Sequence, residues 1–280
     1  MPELPEVRVV VNYLNQNVKG KVISAVRVFY NRLLVETSVL DLKDKLVNQQ
    51  IEGVDAYGKY IIFHLTNYEM ISHLRMEGKW IFESDNFFSY PQDLVEAEIE
   101  FEHEAKVLRY YDFRRFGTLQ LVAKNQWKTL PAIAKLGYEP FDKGASADYL
   151  FTKVHSSSRA IKTLLLDQTI LLGLGNIYVN EVLFQAKIHP LESGKNLTLQ
   201  DCALILQVSK EILGKSIEEG GTTIHSFMVG NHQSGHYQKY LQVHGRENLP
   251  CFVCGTKIKK INVNGRGTYY CSWCQKLKKI

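Results

Sequence analysis

The sequence predicts an α+β fold in three parts: an N-terminal β-sandwich or flattened barrel, a helical second domain, and a small metal-bound β-hairpin at the C-terminus. Three observations carry this. Eight short β-favouring runs recur between positions 22 and 123, several separated by turn residues. After position 147 the apolar spacing changes to a helical period. Finally, Cys251-x2-Cys254 and Cys271-x2-Cys274 stand sixteen residues apart and enclose Asn264-Gly265, a strong hairpin signal.

In chain order, Glu6–Gln16 reads as a helix. The strands follow at 22–29, 51–56, 59–65, 70–76, 79–83, 97–101, 106–112 and 117–123. In and around the strand at 97–101, Glu96, Glu98, Glu100, Glu102 and Glu104 alternate on one edge, which predicts a solvated outer face turned away from any nucleic acid. Pro131, Gly137, Pro140 and Gly144 mark a linker, placed at 131–147 between a domain at 1–130 and one at 148–244; the finger takes 245–280. Helices are expected over Ala147–Val154, Arg159–Asp167 and Ile177–Gln185. The longest begins after Thr198 and ends at Gly220-Gly221, with Thr198 and Asp201 approximating a capping box. Cys202 lies on the apolar face of that helix and reads as core.

The four paired cysteines suit a tetrahedral thiolate site for one structural Zn²⁺. The competing reading, two disulfides of a secreted domain, has no signal peptide to support it. From Asn248 onward seven Lys or Arg and no acidic residue occur, with Tyr269, Tyr270 and Trp273 interleaved; such a finger, with Arg266 just past its turn, suits phosphate. A solvated basic tail is the plainer alternative. The chain has 280 residues, 45% hydrophobic, with a net charge of +5, so an anionic partner must be met by a local patch rather than by bulk charge. No apolar run approaches the roughly 20 residues that span a bilayer. With Cys202 unpaired, the chain reads as soluble and intracellular.

The start, MPELPEV, places Pro2 after the initiator. Removal of Met1 would free a secondary amine with a pKa near ~8, partly neutral at physiological pH and able to form an iminium. Glu3 beside it is a candidate general acid or base. Gly58-Lys59, His73-Leu74-Arg75-Met76 and Asp112-Phe113-Arg114-Arg115-Phe116-Gly117 each place basic or aromatic groups at a strand end. Arg beside an exposed aromatic suits a wedge in a base stack. Core or surface roles compete at each position. Leu172-Gly173-Leu174-Gly175-Asn176 enters a helix and offers a phosphate-binding N-terminus, without being a dinucleotide fingerprint. The Gly-containing stretch from Gly220 to Tyr237 has the length of a functional loop.

Taken together, MPELPEV, HLRM, DFRRFG, GLGNIYVNE, the GGTT stretch and the zinc hairpin resemble, in order and over the whole chain, the formamidopyrimidine-DNA glycosylase (Fpg) family. The resemblance implies a β-sandwich, a helical domain with a helix–two-turn–helix element, and damaged double-stranded DNA held between them. It implies Pro2 as the nucleophile on the sugar, Glu3 as its acid, and Glu6 as a support. Lys59, counted with the catalytic set, His73, Asn176 and Arg266 would meet phosphates around a flipped nucleotide. Met76, Arg114 and Phe116 would fill the vacated stack, with Arg114 facing the estranged cytosine, and Lys162 would be a further DNA contact. The Thr222–Tyr237 stretch resembles the loop that closes over the lesion. The activity implied is excision of oxidised purines followed by β,δ-elimination, by a bacterial cytoplasmic monomer without membrane association. Phe113 departs from the family's usual Pro, which bears on opposite-base preference. Two alternatives stand beside this reading. One is a Nei-type glycosylase for oxidised pyrimidines, disfavoured by Leu4 and the intact Met76, Arg114 and Phe116 set. The other is a non-catalytic zinc-finger DNA-binding protein, which would need neither Pro2 nor Glu3.

Overall fold

A computed structural model describes residues 2–223 and 234–278. The chain divides into two compact units: Met1–Ala134 with Glu219–His236, and Lys135–Glu218 with Tyr237–Ile280. The division falls inside the expected linker, and the segment after the long helix groups with the first unit.

The first unit opens with α1 (Leu4–Val18), whose Val7, Val10, Val11, Leu14 and Val18 recur at helical spacing and are buried. After β1 (Ile23–Val28) comes a helix absent from the strand pattern, α2 (Val39–Leu46), started by Ser38 Oγ accepting the Asp41 N–H at 3.0 Å. Seven strands follow: β2 (Ile51–Tyr57), β3 (Tyr60–Leu65), β4 (Tyr68–His73), β5 (Lys79–Ser84), β6 (Val95–Phe101), β7 (Lys106–Tyr111) and β8 (Thr118–Ala123). They form two antiparallel four-stranded sheets, ordered β1-β6-β7-β5 and β2-β3-β4-β8. Inward residues of both sheets, including Ile61, Phe63, Trp80 and Leu108, share one core with α1.

The expected solvated glutamate face needs correction. Glu96 and Glu98 are only 1% and 4% exposed. Glu98 binds Arg109 Nε at 2.6 Å, and the buried Arg109 also reaches Glu83 and the carbonyl oxygens of Ser84, Asp85 and Phe87. Strand alternation located the outer face correctly but could not show that residues after β5 fold back over it. Once covered, these charges persist only because they are paired. Glu96 is the exception. It sits where a bulge shifts the register between Val95 and Ala97, and its carboxylate finds no hydrogen-bond partner among the described residues. Burial, with Asp112 nearby, pushes its pKa up to about 7.

A short α3 (Pro131–Ala134) ends the first unit's main segment. The second contains α4 (Ala147–Val154), α5 (Ile161–Leu165), α6 (Asn176–Gln185) and α7 (Leu199–Glu218). Helix α5 is shorter than the expected span. Thr198 and Asp201 exchange backbone-to-side-chain bonds of 2.7 and 3.1 Å, closing the predicted cap of α7. Cys202 is fully buried in the shared core of these helices. The hairpin consists of β9 (Lys259–Val263) and β10 (Arg266–Tyr270). Its two turn residues, Asn264 and Gly265, have φ of 52° and 74°, the left-handed pair such a turn requires. No helix among the described residues is long and apolar enough to cross a membrane.

Candidate functional site

Pro2 is buried immediately before α1, and Glu3 is the residue that caps this helix. The Glu3 N–H donates to Glu6 Oε2 at 2.9 Å, so an acid in the first helical turn holds the backbone beside Pro2. The other oxygen, Glu6 Oε1, accepts the Thr222 N–H at 2.8 Å. One buried carboxylate therefore joins the N-terminal motif to the segment following α7. That segment is closed at its base: Gly235 N–H donates to Thr223 Oγ1 and His236 N–H to the Glu219 carbonyl, each at 2.8 Å. Residues 224–233 of the expected lesion-closing loop lie outside the described residues.

Lys59 occupies the two-residue turn between β2 and β3 with Gly58, whose φ is 57°. It is nonetheless largely buried, as is His73 on the neighbouring strand. Burial, then the Arg75 and Lys59 charges, drive the His73 pKa down to about 3. His73 Nδ1 accepts the Arg75 N–H at 3.0 Å. The ring is therefore neutral, with its hydrogen on Nε2, which makes that nitrogen an uncharged donor.

Met76 and the Arg114–Phe116 pair lie on two separate loops. Met76 is 37% and Phe116 51% exposed, so neither is core filler. The Arg114 guanidinium lies 4.8 Å from the Phe116 ring centre. The Phe116 loop is shaped by Asp112, whose buried carboxylate accepts the N–H groups of Arg114, Phe116 and Gly117 at 2.9, 2.9 and 2.7 Å. Arg75 and Arg115 adopt φ of 51° and 55°, so Met76, Arg114 and Phe116 each adjoin a left-handed backbone position. Nothing in the residue types singled out Asp112; only the carboxylate's position at the loop's centre does.

In the second unit, Arg266 is exposed at the start of β10. Lys162, expected as a further DNA contact, lies inside the second unit. Its ammonium is fully buried and donates to Thr268 Oγ1 at 2.6 Å and to the Gly267 carbonyl at 3.1 Å. Asn176 Nδ2 donates to the same carbonyl at 3.1 Å. Lys162 thus anchors the hairpin beside Arg266 instead of presenting a charge at the surface.

The four cysteine Sγ atoms all lie within 4.8 Å of one another. Cys251 and Cys274 are 4.0 Å apart, Cys254 and Cys271 3.4 Å. A tetrahedral Zn²⁺ with bonds of ~2.3 Å sets its sulfurs roughly 3.8 Å apart, whereas a disulfide needs ~2.0 Å. The set fits zinc, and neither of these pairs stands at disulfide distance. When bound, the ion supplies folding energy to the finger and no chemistry to a substrate.

A cavity of about 740 Å³, lined in part by Arg27, Phe29, Glu96 and Arg109, opens on the first unit's outer sheet face. None of the expected site residues lines it.

Residues 1–119 match the formamidopyrimidine-DNA glycosylase N-terminal domain, 136–228 its H2TH domain, and 248–277 a zinc finger found in FPG and IleRS. The chain is 41% identical over 277 residues to the formamidopyrimidine-DNA glycosylase of Ureaplasma parvum, covering 98% of this chain and all of that one. It belongs to the formamidopyrimidine-DNA glycosylase family. A second member, from Exiguobacterium sibiricum, is also 41% identical and covers 99% of both chains. Among solved structures, an Fpg mutant of Lactococcus lactis in complex with DNA containing Fapy-dG matches with a TM-score of 0.91 and 37% identity. That match covers 98% of this chain and 100% of the other. The same organism's wild-type Fpg, in complex with DNA containing an oxidised pyrimidine, matches with a TM-score of 0.89 and 36% identity over 98% and 100% of the two chains. For an Fpg-family chain, the motif MPELPEV acquires a geometric rationale here: Glu6 closes onto Glu3 and Thr222 together.

Proposed function

We propose that this DNA glycosylase of base excision repair is bifunctional, excising oxidised purines such as 8-oxoguanine and formamidopyrimidines from duplex DNA and then cutting the strand. The observation that carries this reading is Pro2 at the capped start of α1, with Glu3 held by Glu6. Removal of Met1 exposes the Pro2 amine, which attacks the sugar C1′ as the bond to the damaged base breaks. Glu3 delivers a proton to the departing system or to the sugar ring oxygen. The amine loses its proton, the ring opens, and an iminium joins Pro2 to the sugar. Loss of a C2′ proton then expels the 3′ phosphate, and a further elimination expels the 5′ phosphate.

Lys59, His73, Asn176 and Arg266 hold the flanking phosphates, while Met76, Arg114 and Phe116 replace the flipped nucleotide in the stack. Lys162 we assign to holding the hairpin that carries Arg266. The enzyme acts as a monomer, with 1–130 as its catalytic domain, 131–147 as linker, 148–244 as its helical domain and 245–280 as its finger.

Borohydride trapping on a duplex with 8-oxoguanine opposite cytosine tests this directly. A covalent adduct mapped to Pro2 by mass spectrometry is expected. Protein confirmed to begin at Pro2 that forms no adduct would overturn the mechanism. The Lactococcus lactis complex with an oxidised pyrimidine favours running the same assay on that lesion class. Faster trapping there than on 8-oxoguanine would reverse the lesion assignment while leaving the chemistry intact.

A further inference from the structure

Tyr110, in the middle of the β1-β6-β7-β5 sheet, has no role in the chemistry above, yet its hydroxyl meets both loops that carry the wedge residues. The loop bearing Met76 ends at Gly78, and that bearing Arg114 and Phe116 ends at Gly117. A Cβ built on Gly78 would stand 2.1 Å from Tyr110 Oη, and one on Gly117 only 1.8 Å. Both glycines therefore lack side chains at the points where their backbones press on one hydroxyl. Neither backbone amide bonds to it. Gly78 N–H donates to the Leu74 carbonyl at 2.9 Å, and Gly117 N–H to Asp112 at 2.7 Å.

The hydroxyl is buried with no hydrogen-bond partner among the described residues. Such a group lowers stability, and Phe would fill most of the same space without that cost. Stability alone does not explain a tyrosine at this position. Its support is rigid: β7 pairs Tyr110 with Ala97 and Trp80, and the Trp80 ring packs on it at 4.9 Å and on Phe63 at 5.4 Å. Trp80 Nε1 in turn donates to Ser72 at 3.0 Å.

We propose that Tyr110 is a positioning residue whose hydroxyl acts as a spacer between the two wedge loops, setting Met76 against Arg114 and Phe116 and thereby the discrimination of the opposite base. The proposal rests on the wedge assignment of those three residues. Discrimination depends on placement because the wedge reads a base that remains in the helix. Displacements approaching 1 Å in such a site cost rate factors of roughly a hundredfold, so even a partial relaxation of the loops is measurable.

The test compares Tyr110→Phe with the parent enzyme on 8-oxoguanine placed opposite cytosine and opposite adenine, under single-turnover conditions. Expected are a melting temperature equal to or above the parent's and unchanged trapping on a preformed abasic site. The cytosine-to-adenine rate ratio should fall roughly tenfold. A ratio within about twofold of the parent, in protein that melts normally, would overturn the proposal. Phe116→Ala and the double variant Phe116→Ala/Tyr110→Phe complete a cycle. If Tyr110 acts through the wedge, the second change adds little to the first; full additivity would overturn it. If Phe116→Ala and Met76→Ala both leave the ratio untouched, the wedge assignment itself fails and the proposal with it, an outcome distinct from a null result in Tyr110→Phe alone.

Discussion

At the scale of single residues, a buried polar side chain shapes the loop that carries Arg114 and Phe116. Asp112 holds three N–H groups of the Phe116 loop with one carboxylate. Asp112→Asn keeps one acceptor oxygen and loses the charge. It should cost about 2–3 kcal/mol, read as a lower urea midpoint, and should slow cutting more steeply than it weakens binding. Lys162 offers a sharper discrimination. Were its ammonium on a phosphate, Lys162→Met would reduce the slope of log binding constant against log salt by about 1. Because that ammonium is buried on Gly267 and Thr268, we expect weaker binding with an unchanged slope. A residue-type reading marks Lys162 only as basic. Which way its ammonium points is a property of packing.

At the scale of elements, the finger has little core of its own. Phe184 and Val243 from outside it join Cys251, Ile258 and Cys271, too small a cluster to order a hairpin without the metal. Chelation should therefore unfold residues 251–275, release Arg266 and lower DNA affinity. The β signature of the first unit in circular dichroism should persist. Loss of that signature together with the finger would show that the zinc supports more than the hairpin. The strands and long helices were legible from alternation and period. Helix α2 was not, because its eight residues lie between strands and their helical character rests on the Ser38 cap. The covered face of β6 was equally hidden, since alternation assigns a side of the sheet but not what packs against it.

At the scale of the whole molecule, two buried groups bias stability in opposite directions with pH. His73 titrates at about 3 when folded against 6.5 ordinarily. Between those values the unfolded chain holds the extra proton, so this group removes stability as pH falls from 6.5 towards 3. Glu96 titrates at about 7 against 4.5. There the folded chain holds the extra proton, so stability declines as pH rises from 4.5 to 7 and the deficit is complete above 7. Glu96→Gln should match the parent below pH 4.5 and exceed it in urea midpoint at pH 8. Equal midpoints at pH 8 would contradict the raised pKa. His73 remains neutral over the same range, so the loss of DNA affinity in His73→Gln should be constant from pH 6 to 8.

The local sequence determined what depends on neighbours along the chain: strand alternation, helical period, the Asn264-Gly265 turn, the cysteine spacing and the ordered motifs that carry the family resemblance. Each follows from backbone geometry or ligand chemistry acting over a few residues. Only the tertiary structure decided which polar groups are buried and what they face. Lys162 turns inward to the hairpin, Glu98 pairs with Arg109 beneath a covering segment, Glu6 spans from Glu3 to Thr222, and Tyr110 meets two glycines far apart in the chain. The physical reason is that solvation of a charge or a hydroxyl is set by everything within a few ångströms in space, and most of those neighbours are distant in sequence.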